Sequence, residues 1–332
     1  MSAARLDENS RQSGRPRTVD AQLATLPILD AEESVAEEPA EWSPAQDPQR
    51  RSLQGGQSAR SLLLTVLGEY VLPRGGTVWT STLLETLRLF GIEDRAARQA
   101  LARAAKAGWL DSEHIGRQAR WHLTERGRAL LADGSARIYG FDPTRGDWDG
   151  KWLVLVISIP EERRADRHVL RTRLAWSGFG SLGQGVWLSP DTRRRVGLEP
   201  IFEGLERPTR AVAFIAELSD IDDADALVHD AWNLMELEQR YRAFTTEFTG
   251  SAERDPALAF TVKTRLVHEW RKFPFIDPGL PTSLLPLEWP GHRANRLFRQ
   301  LHDELSPDAA VWFDEIESRA GRRHTSPRAT SS

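Results

Sequence analysis

Three observations predict an α+β chain in three folded parts. Residues 58–141 carry two apolar helical patterns, an arginine-rich helix and a short two-stranded ribbon; residues 148–220 alternate strand and helix signals; residues 221–318 keep a helical periodicity. The order in the first part is that of an N-terminal winged helix-turn-helix, and the β-α-β-β-α-β order of the second is that of a central ferredoxin-like sandwich. A C-terminal helical domain completes the chain. Residues 1–57, rich in Ser, Pro, Glu, Asp and Arg, lack sustained apolar periodicity and are expected to be a disordered tail, as are residues 319–332.

The first helix is read over 61–71, where Leu62, Leu63, Val66 and Tyr70 fall at helical spacing and Pro73 with Gly75-Gly76 stops it. The second follows Trp79, with Thr80 or Ser81 as N-cap, and carries Leu83, Leu84, Leu87 and Phe90 up to Gly91. The third has Glu93 and Asp94 in its first turn and ends near Lys106 and Gly108, each suited to a helix terminus. Its apolar stripe is Ala97, Leu101 and Ala104, with Ala105 beside it, and Arg95, Arg98, Gln99 and Arg103 lie opposite. A helix that packs one face on its own domain and offers the other to a phosphate-lined groove needs this division. Strands around Gly116 form a wing with Arg117 and Gln118 at its tip and Arg120 beyond; the tip is expected to meet phosphates or the minor groove, and Arg117 and Arg120 to grip backbone. Thr124 caps a fourth helix.

Arginines on a helix also serve merely to solvate a surface, so the local charge decides. From Ser58 to Arg137 there are twelve Lys or Arg against eight Asp or Glu, a net of +4, on a chain whose total is −4. A positive patch on an acidic protein points to a polyanionic partner. Cysteine is absent, which excludes disulfides, thiolate metal sites and cysteine nucleophiles. The longest apolar run, 152–159, is strand-sized against the roughly 20 residues of a membrane span, so a soluble, cytoplasmic protein is expected. Arg5, Arg11, Arg15 and Arg17 suggest a transit peptide, but Asp7, Glu8, Asp20 and the acidic stretch 32–41 argue against one.

In the second part, 151–160 reads as a buried strand, 163–176 as an amphipathic helix with Val169, Leu170 and Leu174 inward, 178–188 as two strands, 200–205 as a helix and 210–216 as a strand. In the third, one long helix is expected over 222–248, another over 256–273 and a last one over 293–305. The prolines between 273 and 291 predict an irregular path without helix.

Several separate segments carry a family resemblance: the 60–71 helix with Pro73-Arg74-Gly75-Gly76, Gly178-Phe179-Gly180 with Gly185-Val186-Trp187-Leu188, and the run Phe273-Pro274-Phe275-Ile276-Asp277-Pro278, Leu284-Leu285-Pro286 and Trp289-Pro290-Gly291. Together, in this order across about 58–316, they resemble the PaaX family of bacterial phenylacetate-responsive regulators. The sequence departs at Glu69, where the family commonly has Asp, and in its long N-terminal extension. The resemblance implies a homodimeric repressor that binds double-stranded operator DNA. It also implies a central domain similar to the small CRISPR-associated nucleases, and phenylacetyl-coenzyme A or a related acyl-CoA as effector; no cofactor and no metal are expected. Regulation of another pathway, or activation by a different ligand, stays open.

An acyl-coenzyme A needs cations for its phosphates and an apolar slot. Arg271, Lys272, Arg293, Arg296 and Arg299 flank the proline-rich segment, and Trp270, Phe273, Phe275 and Trp289 are candidates to line the slot. The enzymatic rival is a metal-dependent nuclease, which would place a carboxylate at the end of the first central strand. Glu161 and Glu162 follow Pro160 there and read as the start of a helix. Gly178-x-Gly180-x-x-Gly183 spells a dinucleotide fingerprint but precedes a strand, and Asp222-Asp223-x-Asp225 reads as helix capping.

Overall fold

The computed structural model describes residues 58–116, 118–143, 146–205, 210–219, 223–251 and 254–325. The tail expected over 1–57 lies outside them. Helix α1 (Ala59–Val66) is capped by Ser58, whose Oγ accepts the Ser61 N–H, and continues through a π-helical turn (Leu67–Val71) into a 3₁₀ turn (Leu72–Arg74). Leu62, Leu63, Val66, Tyr70 and Val71 are fully buried. Gly75 ends the run at φ 85°, a left-handed conformation that a side chain would strain. Strand β1 (Thr77–Trp79) leads directly into α2 (Thr80–Arg88), then α3 (Asp94–Lys106), strands β2 (Leu110–Ile115) and β3 (Gln118–Leu123), and α4 (Glu125–Gly140). These strands form an antiparallel sheet in the order β1-β3-β2. Neither Thr80 nor Ser81 caps α2; Thr80 is its first residue, and its hydroxyl instead donates to the Ala119 carbonyl and accepts from Trp121 Nε1, tying α2 to the central strand. Thr124 caps α4 through the Gly127 N–H.

The central sheet is built from β4 (Lys151–Ser158), β5 (Gly180–Gly183), β6 (Val186–Ser189) and β7 (Arg210–Glu217), all antiparallel, in the order β5-β6-β4-β7. Helix α5 (Arg164–Trp176) covers one face, setting Leu170 and Leu174 against Leu153, Leu155 and Ile157. The helix expected before β7 is reduced to two 3₁₀ turns (Thr192–Arg195 and Glu199–Phe202), with Gly197 at φ 83° between them and Pro200 in the second. The other face packs Trp152 and Leu188 on Val228, Trp232, Leu280 and Leu284, so later parts of the chain complete this core.

The helix expected over 222–248 is two: α6 (Ala224–Ala231) and α7 (Leu234–Phe248). Trp232 breaks it in extended backbone (φ −131°, ψ 140°) to reach the central core, and Asn233 recaps through the Glu236 N–H. Helix α8 (Pro256–Trp270) is followed by a single turn, α9 (Phe273–Ile276), in the segment expected to be helix-free; Pro274 sits in that turn's first positions, where no N–H is needed. The final helix, α10, spans Pro290–Thr325, well past both the expected end at 305 and the tail expected from 319. It crosses Pro307 because its apolar stripe does not stop there: Phe298, Leu301, Leu305, Ala309, Phe313, Ile316 and Ala320 are all buried. That continuous burial outweighs the roughly 3 kcal/mol an interior proline costs.

Candidate nucleic-acid interface

Helix α3 divides as its sequence requires. Ala97, Ala100, Leu101 and Ala104 are buried, while Arg95, Arg98, Gln99 and Arg103 are all exposed on the opposite face. None of the three arginines is held in a salt bridge among the described residues; Arg88 takes Asp94 at 2.6 Å instead. Alanines dominate the stripe, so the helix sits close on its neighbours with little bulk between. The turn into it is set by Gly91 at φ 75°.

The wing differs from expectation. Arg117 lies outside the described residues. Gln118 is half-buried at the start of β3. Arg120 is turned into the module: β3 is the middle strand, so Arg120 lies between Trp79 on β1 and Glu113 on β2. Its Nη2 donates to Thr77 Oγ1 at 3.0 Å, and its guanidinium lies 5.4 Å from the Trp79 ring centroid. It braces the sheet and is not poised to grip phosphate.

The candidate effector residues are not brought together. Arg271 is committed to α1, donating to the Ser61 carbonyl (3.0 Å), Ser61 Oγ (3.1 Å) and Thr65 Oγ1 (3.2 Å). Lys272 pairs with Glu269 at 2.7 Å. Arg293, Arg296 and Arg299 remain, exposed along the first turns of α10, with no carboxylate paired to them among the described residues. The aromatic slot is filled by its own members: Trp270, Phe273 and Trp289 are core, Phe273 stacking on Tyr241 at 4.2 Å. Phe275 lies under the Arg137 guanidinium. Glu161, the rival metal ligand, is exposed and paired with Arg167 at 2.8 Å.

A buried polar cluster was missed by sequence reasoning. Glu69, in the π-turn after α1, has a side chain only 8% exposed and meets Lys263 Nζ at 3.0 Å. Tyr139 Oη donates to Glu69 Oε1, and His302 Nε2 lies 3.3 Å from Oε2 and 3.2 Å from Tyr139 Oη. Burial would raise the Glu69 carboxyl; the His302 contact, the Lys263 charge and the Tyr139 hydrogen bond overcome it and hold the group at about 2. Nearby, His268 Nδ1 pairs with Thr65 Oγ1 at 3.1 Å, and burial, with Arg271 and Lys272, pushes its ring down to about 3. The only sequence signal was Glu69 itself, a carboxylate inside an apolar helix.

Family models for a PaaX-like protein, a PaaX central Cas2-like domain and a PaaX-like C-terminal domain match residues 58–127, 145–228 and 232–315. The chain is 29% identical over 270 residues to the transcriptional repressor PaaX of Escherichia coli (strain K12), covering 78% of this chain and 84% of that protein. It also resembles the solved structure of uncharacterized protein Rv0674 from Mycobacterium tuberculosis, at a TM-score of 0.53 and 23% identity, over 77% of this chain and 99% of that one. That likeness speaks to the fold. No described helix is long and apolar enough to cross a membrane.

Proposed function

Because the chain belongs to the PaaX family of transcriptional regulators, we propose that it acts in the cytoplasm as a homodimeric, sequence-specific DNA-binding repressor, released from its operator by an aryl-acyl thioester of the phenylacetyl-coenzyme A type. The supporting observation is α3, whose exposed Arg95, Arg98, Gln99 and Arg103 back onto a buried alanine-rich stripe. In this reading residues 58–141 are a winged helix-turn-helix and α3 enters the major groove. There arginine forks onto guanine and glutamine onto adenine, while Arg117 and Gln118 meet the backbone. Arg120 holds the wing rigid.

Two copies are needed to read two half-sites, and β7 offers a surface for pairing. It is an edge strand exposed along most of its length, with Phe214 54% and Ile215 45% exposed. Long apolar edges pair with another chain unless protected. A two-fold axis across this edge gives the self-complementary contact of a closed dimer.

The test is binding of the purified protein to its own upstream DNA at two salt concentrations, with and without phenylacetyl-coenzyme A. Salt-sensitive, sequence-specific binding that the thioester relieves is expected. Specific binding indifferent to the thioester would keep the regulator and reject this effector. Absence of specific binding would reject the winged-helix reading.

A further inference from the structure

The last turns of α10 lie against the proposed helix-turn-helix. Arg74, in the 3₁₀ turn after α1, donates from Nε to Asp314 Oδ1 at 2.5 Å and from Nη2 to Asp314 Oδ2 at 3.2 Å. Farther along α10, Glu317 Oε2 accepts the backbone N–H of Trp79, the N-cap residue of α2, at 3.3 Å. Arg319 then pairs with Glu85 of α2 at 2.5 Å. The backbone at Gly321 runs so near Trp79 that a Cβ there would stand 3.4 Å from the indole Nε1. The Glu317 bond is the one that an acid at the third helical position makes in a capping box. Thr82 holds that position in α2, and the acid comes instead from 238 residues beyond Trp79.

In a helix-turn-helix the first helix crosses the DNA backbone, and a helix N-terminus ordinarily offers its N–H groups and positive dipole end to a phosphate. Here the Glu317 carboxylate sits at that end of α2 and offsets its charge, so α2 itself has little left to attract a phosphate. The residues that follow reverse the sign. After Glu317 the sequence carries Arg319, Arg322, Arg323 and Arg328, with His324, and no acid. Arg319 is held by Glu85, and Arg322 is exposed on the helix, which runs on to Thr325. Arg328 lies outside the described residues, three positions past that end.

We propose that the C-terminal end of α10 is a second contact with DNA, in which Arg322, Arg323 and Arg328 hold the phosphates beside the start of α2, outside the bases met by α3. A run of arginines is usually a solvated surface. What assigns this one is its attachment, through Asp314, Glu317 and Arg319, to the module whose first helix crosses the backbone. The contact is to phosphate alone, so it adds affinity without adding sequence preference. It rests on the DNA-binding reading of α3.

The experiment compares the full chain with a triple variant, Arg322→Gln, Arg323→Gln and Arg328→Gln, and with the corresponding triple lysine variant. Electrophoretic shifts are read on the protein's own upstream DNA and on an unrelated duplex, each at several salt concentrations. Losing three phosphate contacts should flatten the slope of log affinity against log salt by about two to three for each copy bound. Affinity for both duplexes should fall by a similar factor, about tenfold or more at low salt. The lysine variant should keep the parent's slope, because the contact is one of charge. Hydroxyl-radical footprinting should show protection lost at the outer sugars of the site and kept at its centre. On a duplex trimmed to the glutamine variant's footprint, parent and variant should bind alike. An unchanged slope and footprint in the glutamine variant, or the same loss of slope in the lysine variant, overturns this contact and leaves the α3 reading standing. No specific binding by the parent chain overturns both.

Discussion

Lys263→Met strands Glu69 without its ammonium partner while keeping most of the side-chain volume. The two side chains are 7% and 8% exposed and 3.0 Å apart. Breaking a buried pair from one side costs about 3–5 kcal/mol, because the surviving charge stays desolvated. The Glu69 carboxyl lies at about 2 against an ordinary 4.5, lowered first by the His302 contact and then by the Lys263 charge, and the cluster as a whole gains about 3 kcal/mol of stability from that difference at 1.36 kcal/mol per unit. Because the folded value is the lower one, that stability is present above pH 4.5 and is lost as the pH falls from there towards 2. Urea unfolding at pH 7 should therefore show Lys263→Met destabilised by about 3 kcal/mol. The double variant Glu69→Gln with Lys263→Met should lose less than the sum of the singles, by about 1 kcal/mol or more. Glu69→Gln alone should remove the parent's loss of stability between pH 4.5 and 2 that this carboxyl causes. A Lys263→Met cost under about 1 kcal/mol, or strict additivity in the double variant, would refute the argument.

His268 titrates at about 3 in the folded chain against an ordinary 6.5, so its contribution is present above pH 6.5 and lost as the pH falls towards 3; His268→Gln should flatten the stability profile across that window, read by urea midpoints at half-unit steps. Arg98→Ala should weaken operator binding by about 1–3 kcal/mol and relax base preference at one position, whereas Arg95→Ala, if it meets phosphate, should lower the salt slope by about one; electrophoretic shifts at several salt concentrations separate the two. A Cβ on Gly127 would lie 2.1 Å from the Trp109 carbonyl oxygen, so Gly127→Ala should cost about 2–3 kcal/mol by forcing α4 away from Trp109, visible as a lower melting temperature. Phe214→Asp on the β7 edge should shift the protein from dimer to monomer in sedimentation; an unchanged dimer would place the two-fold contact elsewhere.

What was legible in the sequence is what local spacing encodes. The buried faces of α1, α2 and α3 follow from residues three and four apart, and the exposed arginines of α3 follow as their complement. Where a residue's partner is distant, the reading failed. Arg120 looks like a wing residue until β1 is found beside β3, and Arg271 looks like an effector ligand until Ser61, 210 residues away, takes it. Pro307 and Trp232 misled in opposite senses: one interrupts the sequence pattern but not the helix, the other continues the pattern and breaks the helix. In both cases a burial site supplied by another part of the chain decides.

The same distance effect gives the contact between α1 and the C-terminal helices its character. Ser61, Thr65 and Glu69, one turn apart along α1 and its π-turn, meet Arg271, His268 and Lys263 in descending order along α8 and its C-cap. Tyr70 Oη meets Thr264 Oγ1 at 3.1 Å. Had this face been leucine and valine, the helices would have kept most of their attraction after a slip, since apolar burial is non-directional. With directional partners at each turn, a slip strands several buried polar groups at once, at about 1–3 kcal/mol each. The interface therefore has one good register. It fixes α1, and through α1 the arginine face of α3, to helices that carry no DNA-reading residue in the proposed scheme. Tyr139 on α4 and His302 on α10 close this ladder at its Glu69 rung, so those two helices share in fixing α1.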